Sequence, residues 1–262
     1  MKKIVFFDVD GTLVDNPTQV IPESAVQAIR DLRAAGHIAV MNTGRPHQHI
    51  DPRILAIGWD GIVAGCGMWV MAEGKVIHND EPTADLCRKM LELVRKCDVD
   101  AFFEAPHGLV LDGTRGWCES VEREACNIRA RGLRVTTDPD AEDFYFLKFV
   151  SYDKPNSDVP GYLEGLAPYF SVIDRGGGMK EMVPLGNTKS TGMERIYNHF
   201  GLTREDAYAF GDSTNDLPMF QYVSQSVAMG GGDPRLLKVA TYVTDTVLND
   251  GIQKGLRHLG LI

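Results

Sequence analysis

Residues 4–12 read Ile-Val-Phe-Phe-Asp-Val-Asp-Gly-Thr, an apolar run that ends in two aspartates and a glycine. The four consecutive apolar residues Ile4 to Phe7 are typical of a strand that is buried on both faces of a parallel sheet. Asp8 and Asp10 follow at the end of this strand, and Gly11 permits a turn. Two carboxylates two residues apart can therefore converge on one ligand beyond the strand.

The residues that follow continue the pattern of a parallel sheet. The apolar spacing over residues 25–32 predicts an amphipathic helix, which Ser24 can cap and Gly36 can end. A second short apolar run, Ile38 to Met41, then stops at Asn42. The order of strand, helix and strand predicts a right-handed crossover and a doubly wound parallel α/β sheet. Ligands bind at the carboxyl ends of strands in such sheets.

The pattern changes in the middle of the chain and returns near its end. Residues 82–181 contain short β-rich runs mixed with a few helical stretches, which is typical of an α+β unit. A predicted helix over residues 192–200 and a buried strand over residues 207–210 then resume the first pattern. We therefore predict a core domain of residues 1–81 and 182–262, interrupted by an inserted α+β domain of residues 82–181.

Composition excludes several classes of partner. The 262-residue chain has 27 Lys and Arg against 36 Asp and Glu, and its formal charge is −9. Without a basic run, it has no general attraction to nucleic acid or to anionic membranes. No segment approaches the roughly 18 apolar residues of a membrane span, and the N-terminus lacks the apolar stretch of a signal peptide. The five cysteines form no C-x-x-C pair, so we expect neither disulfides nor zinc, and a cytoplasmic location.

A second motif, Thr43-Gly44-Arg45, stands directly after the second predicted strand. The Thr43 hydroxyl and the Gly44 backbone N–H are donors of the kind that hold a phosphoryl oxygen, and Arg45 adds positive charge. Taken alone, the same residues also fit an ordinary strand-to-helix turn. We interpret the nearby His47 and His49 as surface residues rather than site residues.

Two further motifs carry charge near the end of the chain. Lys189 lies at the start of a predicted helix, where an ammonium group gains nothing from the helix dipole, so its placement indicates an anionic partner. A solvated surface lysine is the alternative. Asp212 and Asp216 flank Asn215 after the strand over residues 207–210. If a helix begins there, the two carboxylates share a face and can meet one cation, although an Asp-rich helix cap is an equal alternative.

The four motifs all lie at the carboxyl edge of one predicted sheet. Together they supply four carboxylates, one lysine and several hydroxyl and amide donors. A carboxylate beside a bound phosphate is repelled unless a divalent cation lies between them, and Mg²⁺ prefers such oxygen ligands. The sequence therefore predicts a Mg²⁺-dependent phosphoryl-transfer site that binds a small phosphorylated molecule.

In type and order, these motifs resemble those of the haloacid dehalogenase (HAD) superfamily, specifically the Cof-type phosphatases with a C2-type cap, over nearly the whole chain. The resemblance implies a Rossmannoid core with an inserted α+β cap. It also implies that Asp8 is the nucleophile that forms an aspartyl-phosphate. Asp10 would protonate the leaving alcohol and then activate water.

The same resemblance implies the ligand-binding residues. The metal would be held by Asp8, the backbone carbonyl of Asp10 and Asp212, with Asp216 supporting them. With the donors inferred above, the phosphate-binding residues are Thr43, Gly44, Arg45, Lys189 and Asn215. Where many Cof-type relatives have an Asn-Gly-Ala turn, this chain has Gly65-Cys66-Gly67, so we expect no amide contact with substrate there and interpret Cys66 as a spacer.

We therefore predict a Mg²⁺-dependent phosphatase for small phosphorylated metabolites such as a sugar phosphate. The alternatives are a phosphomutase, which would keep all four motifs, and a non-catalytic phosphometabolite-binding regulator, which the presence of both Asp8 and Asp10 disfavours. The candidates for contact with the substrate in the insertion are Arg115, Trp117, Arg175 and Lys180. The sequence does not determine the oligomeric state.

Overall fold

The computed structural model describes residues 2–262, which divide into two compact units. Unit 1 comprises the chain up to Arg45, Pro52–Asn79 and Thr188–Ile262, and unit 2 comprises Pro46–Asp51 and Asp80–Asn187. The segment Pro46–Asp51 thus belongs to unit 2, although the chain on either side of it belongs to unit 1. The domain boundaries predicted from the sequence, at residues 81 and 182, assigned this segment to the core domain. Those boundaries remain a prediction. His49 lies in the segment and is 4% exposed, so its interpretation as a surface residue is wrong.

Unit 1 is built on an eight-stranded sheet. Its strands are β1 (Ile4–Phe7), β2 (Ile38–Asn42), β3 (Gly61–Ala64), β4 (Trp69–Ala72), β5 (Lys75–Asn79), β12 (Ala207–Gly211), β13 (Gln225–Ala228) and β14 (Tyr242–Val243). The strand order is β14-β13-β12-β1-β2-β3-β4-β5. The first six are parallel, and β4 and β5 add an antiparallel hairpin at one edge. All four residues of β1 are buried, as expected for a central strand.

Helices pack against this sheet. They are α1 (Glu23–Ala34), α2 (Pro52–Leu55), α6 (Lys189–Phe200), α7 (Leu217–Gln221), α8 (Pro234–Leu237) and α9 (Gly251–His258). On one face, Phe6 and Val40 belong to a buried cluster with Ile196 of α6. The prediction that Ser24 caps α1 is wrong. Pro22 occupies the N-cap, and the Ser24 hydroxyl donates to Asp250 Oδ1 at 2.5 Å. The predicted doubly wound α/β sheet is confirmed.

Unit 2 is a six-stranded sheet with three helices. Its strands are β6 (Asp100–Ala105), β7 (Gly108–Leu111), β8 (Arg134–Thr136), β9 (Lys148–Tyr152), β10 (Phe170–Gly176) and β11 (Met179–Pro184). Its helices are α3 (Ala84–Lys96), α4 (Glu119–Ala130) and α5 (Val159–Leu166). The order β10-β11-β9-β6-β7-β8 is antiparallel except between β7 and β8. The predicted α+β character of the insertion is confirmed.

The two faces of this second sheet have different cores. One face carries Phe103 and Phe149, which pack with residues of α3 and α5. The other carries Phe102 and Val150, which pack with α4. Residues 144–146 precede β9 as a loop, and the rings of Phe144 and Phe146 are buried in the first of these clusters. Within residues 2–262, no helix has the length and apolar content that a membrane span requires.

Candidate active site

Three loops meet at one edge of the unit 1 sheet because their strands are parallel neighbours. β1 lies between β2 and β12, so the residues that follow these strands leave the sheet on the same side. The Asp8 N–H donates to Phe210 O at 3.0 Å, which carries the pairing of β1 one residue further. Asp8 is therefore fixed at the end of the strand and is 4% exposed.

Lys189 connects two of these loops. Thr188 caps α6 in a reciprocal capping box with Thr191, which places Lys189 at the first helical position. The Lys189 ammonium donates to Asp8 Oδ1 and, at 2.6 Å, to Asp216 Oδ1. Lys189 is 2% exposed, so the alternative of a solvated surface lysine is wrong. The anionic partners that its position indicated are Asp8 and Asp216.

Asp216 closes a tight turn rather than lying on the helix that the spacing suggested. The turn over Thr214–Asp216 is a 3-10 helix, and Asp216 Oδ2 accepts the backbone N–H groups of Asp212 and Ser213 at 3.0 and 3.1 Å. The turn brings Asp212 toward β1, where the Thr12 hydroxyl lies 3.5 Å from Asp212 Oδ1. One carboxylate oxygen from each of Asp8, Asp212 and Asp216 lies within 4.8 Å of the other two.

These carboxylates carry more negative charge than the single lysine offsets. Burial raises the pKa of Asp8 well above its ordinary value; Lys189 opposes this, while Asp216 and Asp212 raise it further. Burial and the charge of Asp216 raise the pKa of Asp212 to about 7. Burial alone would lower the pKa of Lys189, but Asp216 and Asp8 outweigh it and raise that pKa. A divalent cation among the three carboxylates would relieve their repulsion.

Asp10 and Arg45 lie together at the more open side of this cluster. The Arg45 guanidinium forms a two-point contact with the Asp10 carboxylate, with Nε 2.8 Å from Oδ2 and Nη2 bonded to Oδ1. The Asp10 side chain is 43% exposed. Arg45 was predicted to bind phosphate, and in this structure it contacts Asp10, the predicted general acid and base. The Arg45 backbone N–H donates to Thr43 Oγ1 at 3.1 Å, which fixes the loop that also contains Gly44.

The Gly65-Cys66-Gly67 turn supports this loop through backbone contacts. Gly65 N–H donates to Arg45 O at 2.8 Å, and Cys66 N–H donates to Thr43 O at 3.1 Å. Cys66 is 1% exposed. Gly67 lies so close to the start of α6 that a Cβ there would be 2.3 Å from Thr188 O. This role could not be predicted from the side chains in the sequence, because the contacts use only main-chain atoms.

Two amide side chains differ in their relation to Lys189. The Asn42 side chain donates to Lys189 O at 3.3 Å, so it positions the start of α6. Asn215 instead accepts a hydrogen bond from the Ser213 hydroxyl at 2.5 Å, and within residues 2–262 no hydrogen bond joins it to Lys189. The role of Asn42 was not predicted, and the phosphate-binding role of Asn215 stays a prediction.

A doubly wound sheet whose strand ends gather a buried aspartate, a lysine and a further carboxylate cluster defines a hydrolase of the phosphoryl-transfer class. The chain belongs to the haloacid dehalogenase-like hydrolase family, whose sequence model matches residues 5–256. It is a phosphoric monoester hydrolase, as the phosphatases among its relatives support.

Three relatives illustrate the similarity. The chain is 25% identical over 266 residues to the 5-amino-6-(5-phospho-D-ribitylamino)uracil phosphatase YcsE of Bacillus subtilis, covering 98% of this chain and 95% of that one. It is 27% identical to the HAD phosphatase BT1666 of Bacteroides thetaiotaomicron, with a TM-score of 0.84 and coverage of 100% and 96%. It is 25% identical to the HAD subclass IIB sugar phosphatase BT4131, with a TM-score of 0.80 and full coverage of both chains.

The space beside Gly11 supplies a first prediction. A Cβ at this position would lie 2.2 Å from Asp212 Oδ2, and Gly11 has a φ of +85°. We expect Gly11→Ala to displace Asp212 and to lower kcat/KM for an aryl phosphate by about tenfold or more. Gly36→Ala is the matched control, because Gly36 has a φ of +87° but open space around it. In both variants the alanine must adopt a left-handed backbone conformation, which should lower the free energy of unfolding by about 1–2 kcal/mol. Equal activities of the two variants would contradict the prediction.

Proposed function

We propose that this hydrolase is a Mg²⁺-dependent phosphatase that acts on small phosphorylated metabolites, such as a sugar phosphate, through an aspartyl-phosphate on Asp8. The observation that carries the proposal is the buried contact of Asp8 with Lys189 at the end of β1. A buried carboxylate held by an ammonium group is an oriented nucleophile, and the same ammonium can offset the charge of an incoming phosphate.

The acidic cluster fits Mg²⁺. It offers only oxygen donors and carries surplus negative charge, and the lack of a Cβ at Gly11 leaves room for the Asp212 carboxylate. Asp8, the backbone carbonyl of Asp10 and Asp212 would hold the ion, and Asp216 would support Asp212 from the turn. When bound, Mg²⁺ would supply positive charge that reduces the repulsion between Asp8 and the phosphate.

The residues of the chain account for both halves of the reaction. A carboxylate oxygen of Asp8 attacks the phosphorus, the bond to the leaving oxygen breaks, and protonated Asp10 gives its proton to the leaving alcohol. Asp10 then takes a proton from water as the water oxygen attacks the phosphorus. The acyl-phosphate bond breaks, and Asp8 is restored. The two-point contact with Arg45 favours the carboxylate form of Asp10, which is the form that takes the proton from water.

The remaining predicted residues bind the phosphoryl group. Thr43, Gly44 and Asn215 would donate hydrogen bonds to its oxygens, and Lys189 would neutralise its charge, with Arg45 adding positive charge nearby. We also propose that residues 82–181 act as a cap that keeps water and large substrates from the reaction. We also propose a cytoplasmic location, where a reducing environment would suit five cysteines that are scattered along the sequence.

A screen of several dozen phosphorylated metabolites with purified protein tests the proposed function. We expect release of inorganic phosphate from one or more sugar or polyol phosphates, and its loss when EDTA removes the metal. Activity that persists unchanged with EDTA would contradict the Mg²⁺ requirement. Transfer of the phosphoryl group to a second alcohol instead of water, measured by product analysis with a sugar bisphosphate as activator, would identify a mutase instead.

A further inference from the structure

Asn42 is a polar residue at a position of β2 where alternation along the strand predicts an apolar side chain. Ile38 and Val40 precede it at intervals of two residues, so the three side chains share one face of the strand. Both apolar residues belong to the buried cluster of unit 1, as does Val63, which pairs with Asn42 on β3. Asn42 itself is 0% exposed. The last core position of this strand, next to Thr43, therefore carries an amide group.

The amide nitrogen of Asn42 contacts two helices of unit 1. Nδ2 donates to Lys189 O at 3.3 Å and lies 3.4 Å from Met219 Sδ, a weak acceptor. Lys189 is the first residue of α6, and Met219 lies in α7, which follows the turn that ends at Asp216. One side chain at the end of β2 thus connects the strand to the helix that begins with the lysine and to the helix that follows Asp216.

The amide oxygen of Asn42 is not satisfied. Asn42 Oδ1 is buried and, within residues 2–262, takes part in no hydrogen bond. The reverse orientation of the amide would place this oxygen against Lys189 O, another acceptor, so the donor contacts determine which way the amide faces. A buried acceptor without a donor costs stability, whereas a valine would have no such cost and would suit a strand. The stability of the fold therefore does not explain why this position carries an amide.

The ammonium group of Lys189 has to meet carboxylates from two different loops. It bonds to Asp8 and, at 2.6 Å, to Asp216. The capping box of Thr188 fixes the shape of the first turn of α6, but it does not connect this turn to the central strands. The Asn42 amide does connect it, because Asn42 belongs to β2, and β2 pairs directly with β1 up to the residue before Asp8.

We propose that Asn42 is a positioning residue of the active site, which holds the backbone of Lys189 so that its ammonium group reaches Asp8. The proposal rests on the proposed phosphatase function, in which Asp8 attacks the phosphorus and Lys189 offsets the charge of the phosphoryl group. Misplacing a catalytic group by about 1 Å can lower a rate by about 100-fold. The amide is kept at a core position, with its oxygen unsatisfied, because its N–H groups set the place of the lysine.

The first test measures turnover and stability of variants on one face of β2. Asn42→Val and Asn42→Ala both remove the N–H donors. With p-nitrophenyl phosphate and Mg²⁺, both should lower kcat by about tenfold or more. Val40→Ala is the matched control, because it removes buried volume from the same face and leaves the amide in place. It should unfold at a lower urea concentration than wild-type protein and keep kcat within about twofold. Asn42→Val should unfold at the wild-type urea concentration or above it.

The second test observes the ammonium group of Lys189 by NMR and needs no turnover. A buried ammonium group held by carboxylates exchanges its protons slowly, and the signal that is absent in Lys189→Met identifies it. Both Asn42 variants should shift this signal or speed its proton exchange by about tenfold. Val40→Ala should leave the signal unchanged, because it alters packing without removing the contact with Lys189 O.

Several outcomes would overturn the positioning role. They are kcat values of both Asn42 variants within about twofold of wild type, an unchanged Lys189 signal, an equal loss of kcat in Val40→Ala, or unfolding of Asn42→Val at a lower urea concentration than Val40→Ala. Failure of the proposed function would appear differently, as absence of phosphate release from p-nitrophenyl phosphate by the wild-type protein. The NMR signal then decides: a change in both Asn42 variants supports the positioning of Lys189, and an unchanged signal overturns it.

Discussion

Replacing Asp8 by asparagine is expected to lower kcat for an aryl phosphate by about 10⁴-fold or more in the presence of Mg²⁺. The amide is nearly the same size as the carboxylate, but its oxygen is a poor nucleophile and cannot form a stable acyl-phosphate. The contact between position 8 and Lys189 at the end of β1 keeps its geometry with an amide oxygen as acceptor. The loss should therefore be in the chemical step rather than in the fold.

Stability separates this prediction from simple unfolding. Burial and the neighbouring carboxylates Asp216 and Asp212 disfavour the charged form of Asp8. A neutral side chain removes that repulsion, and Lys189 keeps its bond to Asp216. The Tm of Asp8→Asn without metal should therefore equal or exceed that of the wild-type protein.

The measurements are steady-state turnover, thermal unfolding and acid quenching after mixing with radiolabelled phosphate ester. Wild-type protein should retain covalent label, and Asp8→Asn should retain none. Asp31→Asn, at an exposed position of α1, serves as the control and should keep full turnover. Turnover by Asp8→Asn at a tenth of the wild-type rate or more would remove Asp8 from the role of nucleophile.

The sequence predicted the parts of the site that depend on single strands and their ends. The apolar run before Asp8 and the run before Thr43 each gave a buried strand at the stated position. Because parallel strands deliver their carboxyl ends to one edge, the convergence of these loops followed without knowledge of side-chain contacts. The fold class depended on the same local signals.

The contacts between distant parts of the chain could not be predicted from local pattern. The position of Lys189 indicated an anion, but its partner Asp8 lies 181 residues away along the chain. A shared helix face and an Asp-rich cap were equal alternatives for Asp212 and Asp216, and the structure shows that Asp216 caps its own 3-10 turn by accepting two backbone N–H groups. The contact of Arg45 with Asp10 likewise joins two loops, and the sequence does not give the distance between these loops in space.

The sequence also did not predict an ion cluster on the sheet of unit 2, in which Lys148 pairs with Glu104 and Glu181, and Arg175 pairs with Glu181. Arg175 was named as a candidate in the insertion, but Glu104, Lys148 and Glu181 were not. Each of these three lies in a separate strand, and alternation along one strand states only which residues share its own faces. Their meeting depends on the register between β6, β9 and β11, which tertiary packing sets. Lys180, also named, pairs instead with Asp153.

Replacing Lys189 by methionine is expected to cause the largest loss of stability at the site, about 3–5 kcal/mol without metal. The side chain of Lys189 is 1% exposed, and its ammonium is the cation that Asp8 and Asp216 share. Methionine keeps the length of the side chain but leaves these carboxylates buried together without a positive charge. Turnover should fall as well, because the phosphoryl group loses the same ammonium.

Chemical denaturation with and without Mg²⁺ distinguishes this charge effect from loss of packing. Mg²⁺ should stabilise Lys189→Met more than it stabilises the wild-type protein, because the ion then relieves the larger surplus of negative charge. Adding Asp216→Asn to Lys189→Met should restore part of the stability, whereas a packing defect would not respond to removal of a charge. Lys238→Met, at an exposed position after α8, is the matched control and should unfold as the wild-type protein does. A loss of less than about 1 kcal/mol in the free energy of unfolding of Lys189→Met would contradict this prediction. It would mean that water or protonation of the carboxyl groups already reduces their repulsion, and that the lysine acts only on the phosphoryl group.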